Sequence, residues 1–235
     1  MTTFVLVHGT WLGGWVWDRV ATPLRRRGHT VLTPTLPGLA ERRAEARPDT
    51  GLETHVSDLV RYVRDVDRPV VMVGHSYGGI VAQGAAARLG EQVRHLVFLD
   101  AFLAEPGESA FDLLPWLVDF FAPVSPDLPW LAAPLPFDSL TVSDAGDRAW
   151  LAGAVTPMPL ATHREPARDA PSPRPSSYWF CAARPMMADM LPRARARGMD
   201  VVELDTAHVP MVTHPHLLVE RLHTTLPEYE PRPAS

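Results

Sequence analysis

The chain has 235 residues, a length that suits one α/β domain with a sizeable core. Its formal net charge of -5 and the absence of a basic block argue against a nucleic-acid partner. All 22 basic residues are arginine, which excludes a Schiff-base lysine, a phosphate-loop lysine and a Ser-Lys dyad. The single cysteine, Cys181, cannot form an internal disulfide, so the fold does not depend on an oxidising compartment.

Six short apolar runs, rich in β-branched residues, alternate with helical patterns. The runs are Thr3–Val7, Thr30–Thr33, Val70–Val73, His95–Leu99, Tyr178–Cys181 and Val201–Leu204. Parallel strands are buried on both faces and need crossover helices, so this alternation predicts an α/β fold with a mostly parallel sheet. The helices are predicted at Trp17–Arg27, Leu52–Val66, Gly79–Leu89, Met187–Gly198 and Pro210–Thr224.

The alternation stops between Ala104 and Ser177, where the chain is rich in proline and large apolar residues. A structureless loop of that length is uncommon in a compact domain, so we expect a helical insertion that folds over the sheet as a lid. We therefore predict a single domain, residues 1–235, with the core at 1–103 and 178–227. The lid then occupies about 104–177, and a poorly ordered tail occupies about 228–235.

The location of the protein is expected to be cytoplasmic and away from membranes. Thr3–Val7 already has the pattern of a buried strand, which leaves no room before it for a signal peptide. No apolar run approaches the roughly 20 residues that a membrane-spanning helix needs.

Ser76 is the candidate nucleophile. It lies in the stretch Gly74-His75-Ser76-Tyr77-Gly78, directly after the apolar run Pro69–Val73 and directly before a helical pattern. In a G-x-S-x-G motif, the serine occupies a strained turn between strand and helix, called the nucleophile elbow. The glycines let the backbone pass through this elbow without a Cβ clash. The same motif takes one oxyanion donor from the residue after the serine and one from the loop after the first strand, which predicts the amides of Tyr77 and Thr10.

His208 is the candidate base. In α/β proteins whose nucleophile lies in a G-x-S-x-G motif, the catalytic histidine comes last in the chain, just beyond the final strand. His214, His216 and His223 fall in the helix that follows it. We expect structural roles for His8 and His75, since each lies at a strand end where its ring can bond backbone groups. No histidine pair has metal-ligand spacing beside a third carboxylate ligand, so we expect no metal and no cofactor.

With these motifs in place, the chain resembles the α/β-hydrolase superfamily, and within it the compact branch of plant methylesterases and hydroxynitrile lyases. The resemblance covers nearly the whole chain and is sharpest at four segments. They are Phe4-Val5-Leu6-Val7-His8-Gly9, Val73-Gly74-His75-Ser76-Tyr77-Gly78-Gly79, Val97-Phe98-Leu99-Asp100-Ala101-Phe102 and Asp205-Thr206-Ala207-His208. The resemblance implies an α/β-hydrolase fold with a catalytic triad.

The acid of that triad departs from the usual pattern of the branch. There it follows the penultimate strand, where this chain has Ala182-Ala183-Arg184-Pro185 and no carboxylate. Asp100, at the end of the strand after the elbow helix, is the best substitute, and Asp205 is the runner-up. If neither engages His208, then Ser76 and His208 would act as a dyad.

The predicted reaction is hydrolysis of an ester or lactone of a small hydrophobic substrate, including aromatic ones, through an acyl-enzyme. A serine at the elbow argues against epoxide and haloalkane hydrolysis. Cyanohydrin cleavage is disfavoured because Val209 stands where hydroxynitrile lyases carry lysine, and Gly9 where they carry threonine. The predicted substrate contacts are Trp11, Tyr77, Trp116, Phe120 and Val209.

The sequence leaves three other functions open. They are a cofactor-free lyase, cyclase or oxygenase of natural-product metabolism, a small-molecule receptor, and a cofactor-free perhydrolase. It also leaves open the oligomeric state, with a dimer through the lid as one option.

Overall fold

The central sheet determines where the site lies. The computed structural model of the chain describes residues 1–135 and 142–225. In chain order the strands of this part are β1 (Thr3–Val7), β2 (Thr30–Leu32), β3 (Val70–His75), β4 (Val93–Leu99), β5 (Leu131–Ala132), β6 (Met158–Pro159), β7 (Ser176–Cys181) and β8 (Asp200–Leu204). Six of them form one sheet in the order β2-β1-β3-β4-β7-β8. Every neighbouring pair in that sheet is parallel, which confirms the predicted α/β fold class.

The helices connect successive strands of the sheet, belong to the insertion or follow the last strand. They are α1 (Asp18–Arg26), α2 (Leu52–Arg64), α3 (Gly78–Leu89), α4 (Ala110–Leu113), α5 (Ala145–Ala154), α6 (Ala161–Arg164), α7 (Leu191–Ala196), α8 (Pro210–Thr213) and α9 (Pro215–Thr225). The single helix predicted for Pro210–Thr224 is wrong, because His214 leaves the helical region with φ -135° and ψ 50°. A residue before proline is sterically pushed out of the helical conformation, and Pro215 follows His214.

The start of α7 also differs from the expectation. The helix predicted from Met187 begins as the short 3-10 turn Ala188–Met190 and becomes α-helical only at Leu191. Pro192 lies in the first turn of α7, where its missing N–H costs no hydrogen bond. The segment before α7, from Arg184 to Asp189, lines a cavity.

The hydrophobic core has two layers, one on each face of the sheet. Along β1, Phe4 and Leu6 belong to one layer, while Val5 and Val7 belong to the other. Successive strand residues point to opposite faces, so a run that is apolar at every position fills both layers. Helices α1 and α9 contribute to the first layer, and helices α2 and α3 contribute to the second.

The insertion, residues 104–175, joins β4 to β7. It contains α4, α5 and α6 as expected, and also the antiparallel pair of β5 and β6, which corrects the purely helical expectation. The predicted disordered tail, 228–235, lies outside the described residues. In the ranges 1–135 and 142–225, no helix is both long and apolar enough to cross a membrane.

The tight crossing of β3 and α3 gives a first prediction. A Cβ at Gly74 would lie 2.6 Å from the carbonyl oxygen of Gly78, which is backbone and cannot move aside. We expect Gly74→Ala to lower the free energy of unfolding by roughly 1–3 kcal/mol, as overpacking does. The control is Gly153→Ala in α5, where a Cβ meets nothing within 4 Å and alanine should stabilise by about 0.5–1 kcal/mol. Urea denaturation measures both, and equal midpoints for the two variants would contradict the described crossing.

Candidate active site

The elbow between β3 and α3 carries Ser76. Its φ of 53° lies in the left-handed region, which a non-glycine residue occupies at a cost of roughly 1–3 kcal/mol. Backbone hydrogen bonds hold this conformation: the Ser76 amide donates to Leu99 (3.2 Å), and the Ser76 carbonyl accepts from Gly79 (3.0 Å) and Phe102 (3.3 Å). The strained serine is thereby fixed between the carboxyl ends of β3 and β4.

His208 and Asp100 form a buried pair beside the elbow. His208 lies between β8 and α8, and its Nδ1 is 2.6 Å from Oδ2 of Asp100. Asp100 follows β4, has no solvent exposure, and accepts a second bond on Oδ1 from the Cys181 amide (3.2 Å). Its own amide donates to the Trp179 carbonyl (2.8 Å), so β7 holds the aspartate at both its backbone and its side chain.

This pairing determines which imidazole nitrogen of His208 carries the proton. A carboxylate only accepts, so Nδ1 must donate and Nε2 is left as the basic nitrogen. The ring of His75 packs against that of His208 with centroids 4.7 Å apart, and His75 Nε2 donates to the His208 carbonyl (2.7 Å). The loop that carries His208 is therefore held from both sides.

The other candidate acid, Asp205, is in a different environment. Its side chain is exposed, and within the described residues its carboxylate makes no hydrogen bond. The four residues directly after β7, Ala182-Ala183-Arg184-Pro185, include no carboxylate either. Of the two acids proposed from sequence, the structure brings only Asp100 to the histidine.

The remaining early histidine, His8, bonds backbone groups only. Its Nδ1 donates to the Gly9 carbonyl (2.9 Å), and its Nε2 accepts from the Leu36 amide (3.1 Å). His8 and His75 thus both satisfy backbone groups at strand ends, as their positions predict.

Thr10 and Tyr77 are the two predicted oxyanion donors: Thr10 lines the same cavity as Ser76, and Tyr77 is the next residue in the chain. Thr10 lies on the loop after β1, and Tyr77 is the residue that precedes α3, where amide groups have no helical partner. The side chain of Tyr77 is fully buried, and its hydroxyl donates to Nδ1 of His55 (3.0 Å). It does not line the cavity, which corrects the expectation that this side chain contacts substrate.

A cavity of about 530 Å³ opens above Ser76 and His208. The other four predicted contacts all line it: Trp11, Trp116, Phe120 and Val209. Most of its walls are apolar, including Leu12, Phe102, Leu117, Phe121, Leu135 and Met187. Trp116 and Phe120 are 41% and 43% exposed, so they mark its mouth, together with the exposed charges Arg184 and Asp189.

His163, in α6, is a site residue that sequence reasoning missed. It lines the cavity, and its Nε2 lies 3.1 Å from the hydroxyl oxygen of Thr10. It lies in a proline-rich segment with no periodic pattern, so no motif identified it. The one available signal was that His163 is the sole histidine between Ala104 and Ser177.

Burial keeps four histidines near the elbow neutral: His8, His55, His75 and His163. It lowers the pKa of His8 to about 4, that of His55 to about 4 and that of His163 to about 3. Burial also lowers the pKa of His75 well below its usual range, helped by the neighbouring His208. Among the residues with described positions, no group of three or more His, Cys, Asp or Glu side chains could hold a metal ion.

Comparison with known proteins agrees with this geometry. The chain belongs to the alpha/beta hydrolase family, whose model matches residues 4–221. It is 33% identical over 249 residues to the carbendazim hydrolyzing esterase of Nocardioides sp. (strain SG-4G), covering 94% of this chain and 98% of that one. It is 30% identical over 112 residues to putative methylesterase 12 of Arabidopsis thaliana, covering 47% and 32%.

Among solved structures, tomato methylketone synthase I in complex with 2-tridecanone superposes with a TM-score of 0.83. That match has 19% identity and covers 97% of this chain and 99% of the other, so it shows the shared fold. The family and the full-length similarity to an esterase make the chain an enzyme of the carboxylic-ester hydrolase type.

The buried histidines predict how stability depends on pH. A histidine with a folded pKa near 4 and an unfolded pKa near 6.5 binds its proton only after unfolding, so its stabilising contribution is complete above pH 6.5 and is lost as pH falls towards 4. Between pH 6.5 and 4, the free energy of unfolding should fall less steeply with decreasing pH in His55→Gln than in wild type. The slopes of the two proteins should differ by up to about 1.4 kcal/mol per pH unit. The exposed His214→Gln variant is the control and should keep the wild-type slope. Urea titrations at several pH values measure it, and an unchanged slope in His55→Gln would contradict the neutral, buried state.

Proposed function

We propose that this enzyme hydrolyses an ester or lactone of a small hydrophobic molecule through an acyl-enzyme on Ser76. The observation that carries the proposal is the buried hydrogen bond between His208 and Asp100, at the floor of the cavity that Ser76 also lines. A serine, a histidine with a free basic nitrogen and a buried carboxylate are the parts that nucleophilic acyl transfer needs.

In the first half of the reaction, Nε2 of His208 takes the proton of the Ser76 hydroxyl while the oxygen attacks the substrate carbonyl. Asp100 holds the ring in the tautomer that leaves Nε2 free, and its negative charge stabilises the imidazolium that forms. His208 then gives the proton to the leaving alcohol. In the second half, water attacks the acyl group and His208 repeats both proton transfers.

The oxyanion that forms at each step needs donors that are fixed before the reaction begins. The amides of Thr10 and Tyr77 are suited to this role, because both lie next to the nucleophile on backbone held by the sheet and the start of α3. Each such donor contributes about 3–4 kcal/mol to lowering the barrier.

The walls of the cavity support the proposed class of substrate. Apart from the hydroxyl and imidazole groups of five residues and the charges at its mouth, the cavity is lined by apolar side chains, which favour a hydrophobic acyl or alcohol group. The five are Thr10, His75, Ser76, His163 and His208. Trp11 packs against Phe121 with ring centroids 4.8 Å apart and forms one side of this space. The full-length similarity to an esterase supports hydrolysis as the reaction.

The triad is tested with nitrophenyl esters of short and medium acyl chains. Ser76→Ala should abolish turnover, and Asp100→Asn should lower kcat by about four orders of magnitude, because the histidine loses the partner that fixes its tautomer. Asp205→Asn is the matched control, since it removes a nearby carboxylate on the same loop as His208, and it should retain the wild-type rate. If wild type is no faster than Ser76→Ala, the enzyme is not a serine esterase, and the lyase and receptor functions become the better accounts.

The mouth of the cavity gives a separate prediction. Trp116→Ala should raise KM for a nitrophenyl ester with an aromatic acyl group roughly fivefold to tenfold, because apolar contact area is lost. Val118→Ala is the control: it lies on the same segment, is 52% exposed and does not line the cavity, so KM should not change. Steady-state kinetics measure both, and equal KM values in the two variants would exclude Trp116 as a substrate contact.

A further inference from the structure

His163 contacts both residues whose amides are assigned to the oxyanion hole. Its Nε2 lies 3.1 Å from the Thr10 hydroxyl, and its ring stacks on that of Tyr77 with centroids 4.7 Å apart and planes 18° apart. No part of the proton-transfer sequence uses this histidine. Its position therefore calls for a separate explanation.

The hydrogen bonds around His163 determine its tautomer. The Thr162 hydroxyl donates to the Pro159 carbonyl (2.6 Å), so the same oxygen can only accept from Nδ1 of His163 (2.9 Å). Nδ1 thus carries the proton, and Nε2 is an acceptor that receives the proton of the Thr10 hydroxyl. Burial supports this neutral form, since it lowers the pKa of His163 to about 3.

Tyr77 is fixed from its other side as well. His55 Nε2 donates to the Pro37 carbonyl (2.9 Å), so His55 Nδ1 accepts from the Tyr77 hydroxyl (3.0 Å). The tyrosine ring is thus held at its hydroxyl by His55 and on its face by His163. Both neighbours are buried and neutral, so the arrangement does not change with pH near neutrality.

The segment that carries His163 is anchored to the core, whereas the mouth of the cavity is exposed. Glu165, two residues further along, accepts from the Glu53 amide at the start of α2 (3.0 Å). Arg88 of α3 bridges Glu53 and Asp169, with distances of 2.6 Å and 2.7 Å. His163 therefore belongs to a part of the insertion that is tied to the same helices that hold the elbow.

We propose that His163 is a positioning residue of the oxyanion hole, holding Thr10 through its hydroxyl and Tyr77 through its ring. This inference rests on the acyl-transfer function proposed above. Within the described residues, the hydrogen bonds of the imidazole go to Thr10 and Thr162, and none joins it to Ser76. It acts by keeping two backbone amides directed at the place where negative charge develops, so its loss reduces transition-state binding and leaves substrate binding unchanged.

The test compares variants on both sides of the bond between His163 and Thr10. His163→Phe keeps a flat ring against Tyr77 but removes the acceptor, His163→Gln restores an acceptor near the Nε2 position, and Thr10→Val removes the donor without changing the shape. The readouts are kcat and KM for nitrophenyl butyrate, and inhibition by an aryl trifluoromethyl ketone, whose serine adduct places an oxyanion in the hole.

We expect His163→Phe and Thr10→Val each to lower kcat and kcat/KM by about tenfold, with KM within twofold of wild type. Trifluoromethyl ketone inhibition should weaken by a similar factor, and His163→Gln should recover part of the loss. The double variant should be no slower than the slower single variant, because both remove the same interaction.

Three results would overturn the inference: kcat unchanged in His163→Phe, losses that multiply in the double variant, or a raised KM at constant kcat. Thr10→Val carries the test if His163→Phe does not fold. The two proposals fail differently. A wild-type rate equal to that of Ser76→Ala overturns the acyl-transfer function and this inference with it, whereas a serine-dependent rate that ignores His163 overturns this inference alone.

Discussion

The hydrogen bond between His208 and Asp100 is the interaction on which the rest of the site depends. It is buried, and Asp100 is also held by the backbone of β7, so its carboxylate is fixed before any substrate enters. A carboxylate in such a place is costly to bury unless its partners are in position. Here the partners are the His208 ring and the Cys181 amide, and the same contacts leave the basic nitrogen of His208 free.

The parallel sheet brings these groups together. The carboxyl ends of β1, β3, β4 and β8 lie along one edge, and Thr10, Ser76, Asp100 and His208 each follow one of those strands. Three of the four non-glycine residues with positive φ in the described chain, Trp11, Ser76 and Asp100, lie in this region. Backbone strain concentrated at one place is typical of a functional site, where surrounding structure holds each residue in an unfavourable conformation.

The sequence predicted the parts of the fold that depend on local pattern. The strand Thr3–Val7 and the elbow at Ser76 follow from apolar runs and glycine positions, and both lie where expected. Asp100 could be named because few carboxylates stand at strand ends, but choosing it over Asp205 required knowing which strands are neighbours. The break at His214 could have been predicted from Pro215.

The misplaced and missed residues have a different cause. Tyr77 was expected to face substrate because it is next to Ser76, yet adjacent residues at a tight turn point in different directions, and its ring enters the core instead. His163 is 153 positions from Thr10, and the two-residue strands β5 and β6 that help place it are too short to show a pattern. Contacts made only through tertiary packing leave no periodic signal in the sequence.

Trapping the acyl-enzyme tests whether the His208–Asp100 pair activates Ser76. Wild type and Asp100→Asn would be mixed with a nitrophenyl ester, quenched with acid at short times and examined by peptide mass spectrometry. We expect an acyl group on Ser76 that forms much more slowly in Asp100→Asn. Nitrophenol release without any adduct on Ser76, or with an adduct on a different residue, would contradict this expectation.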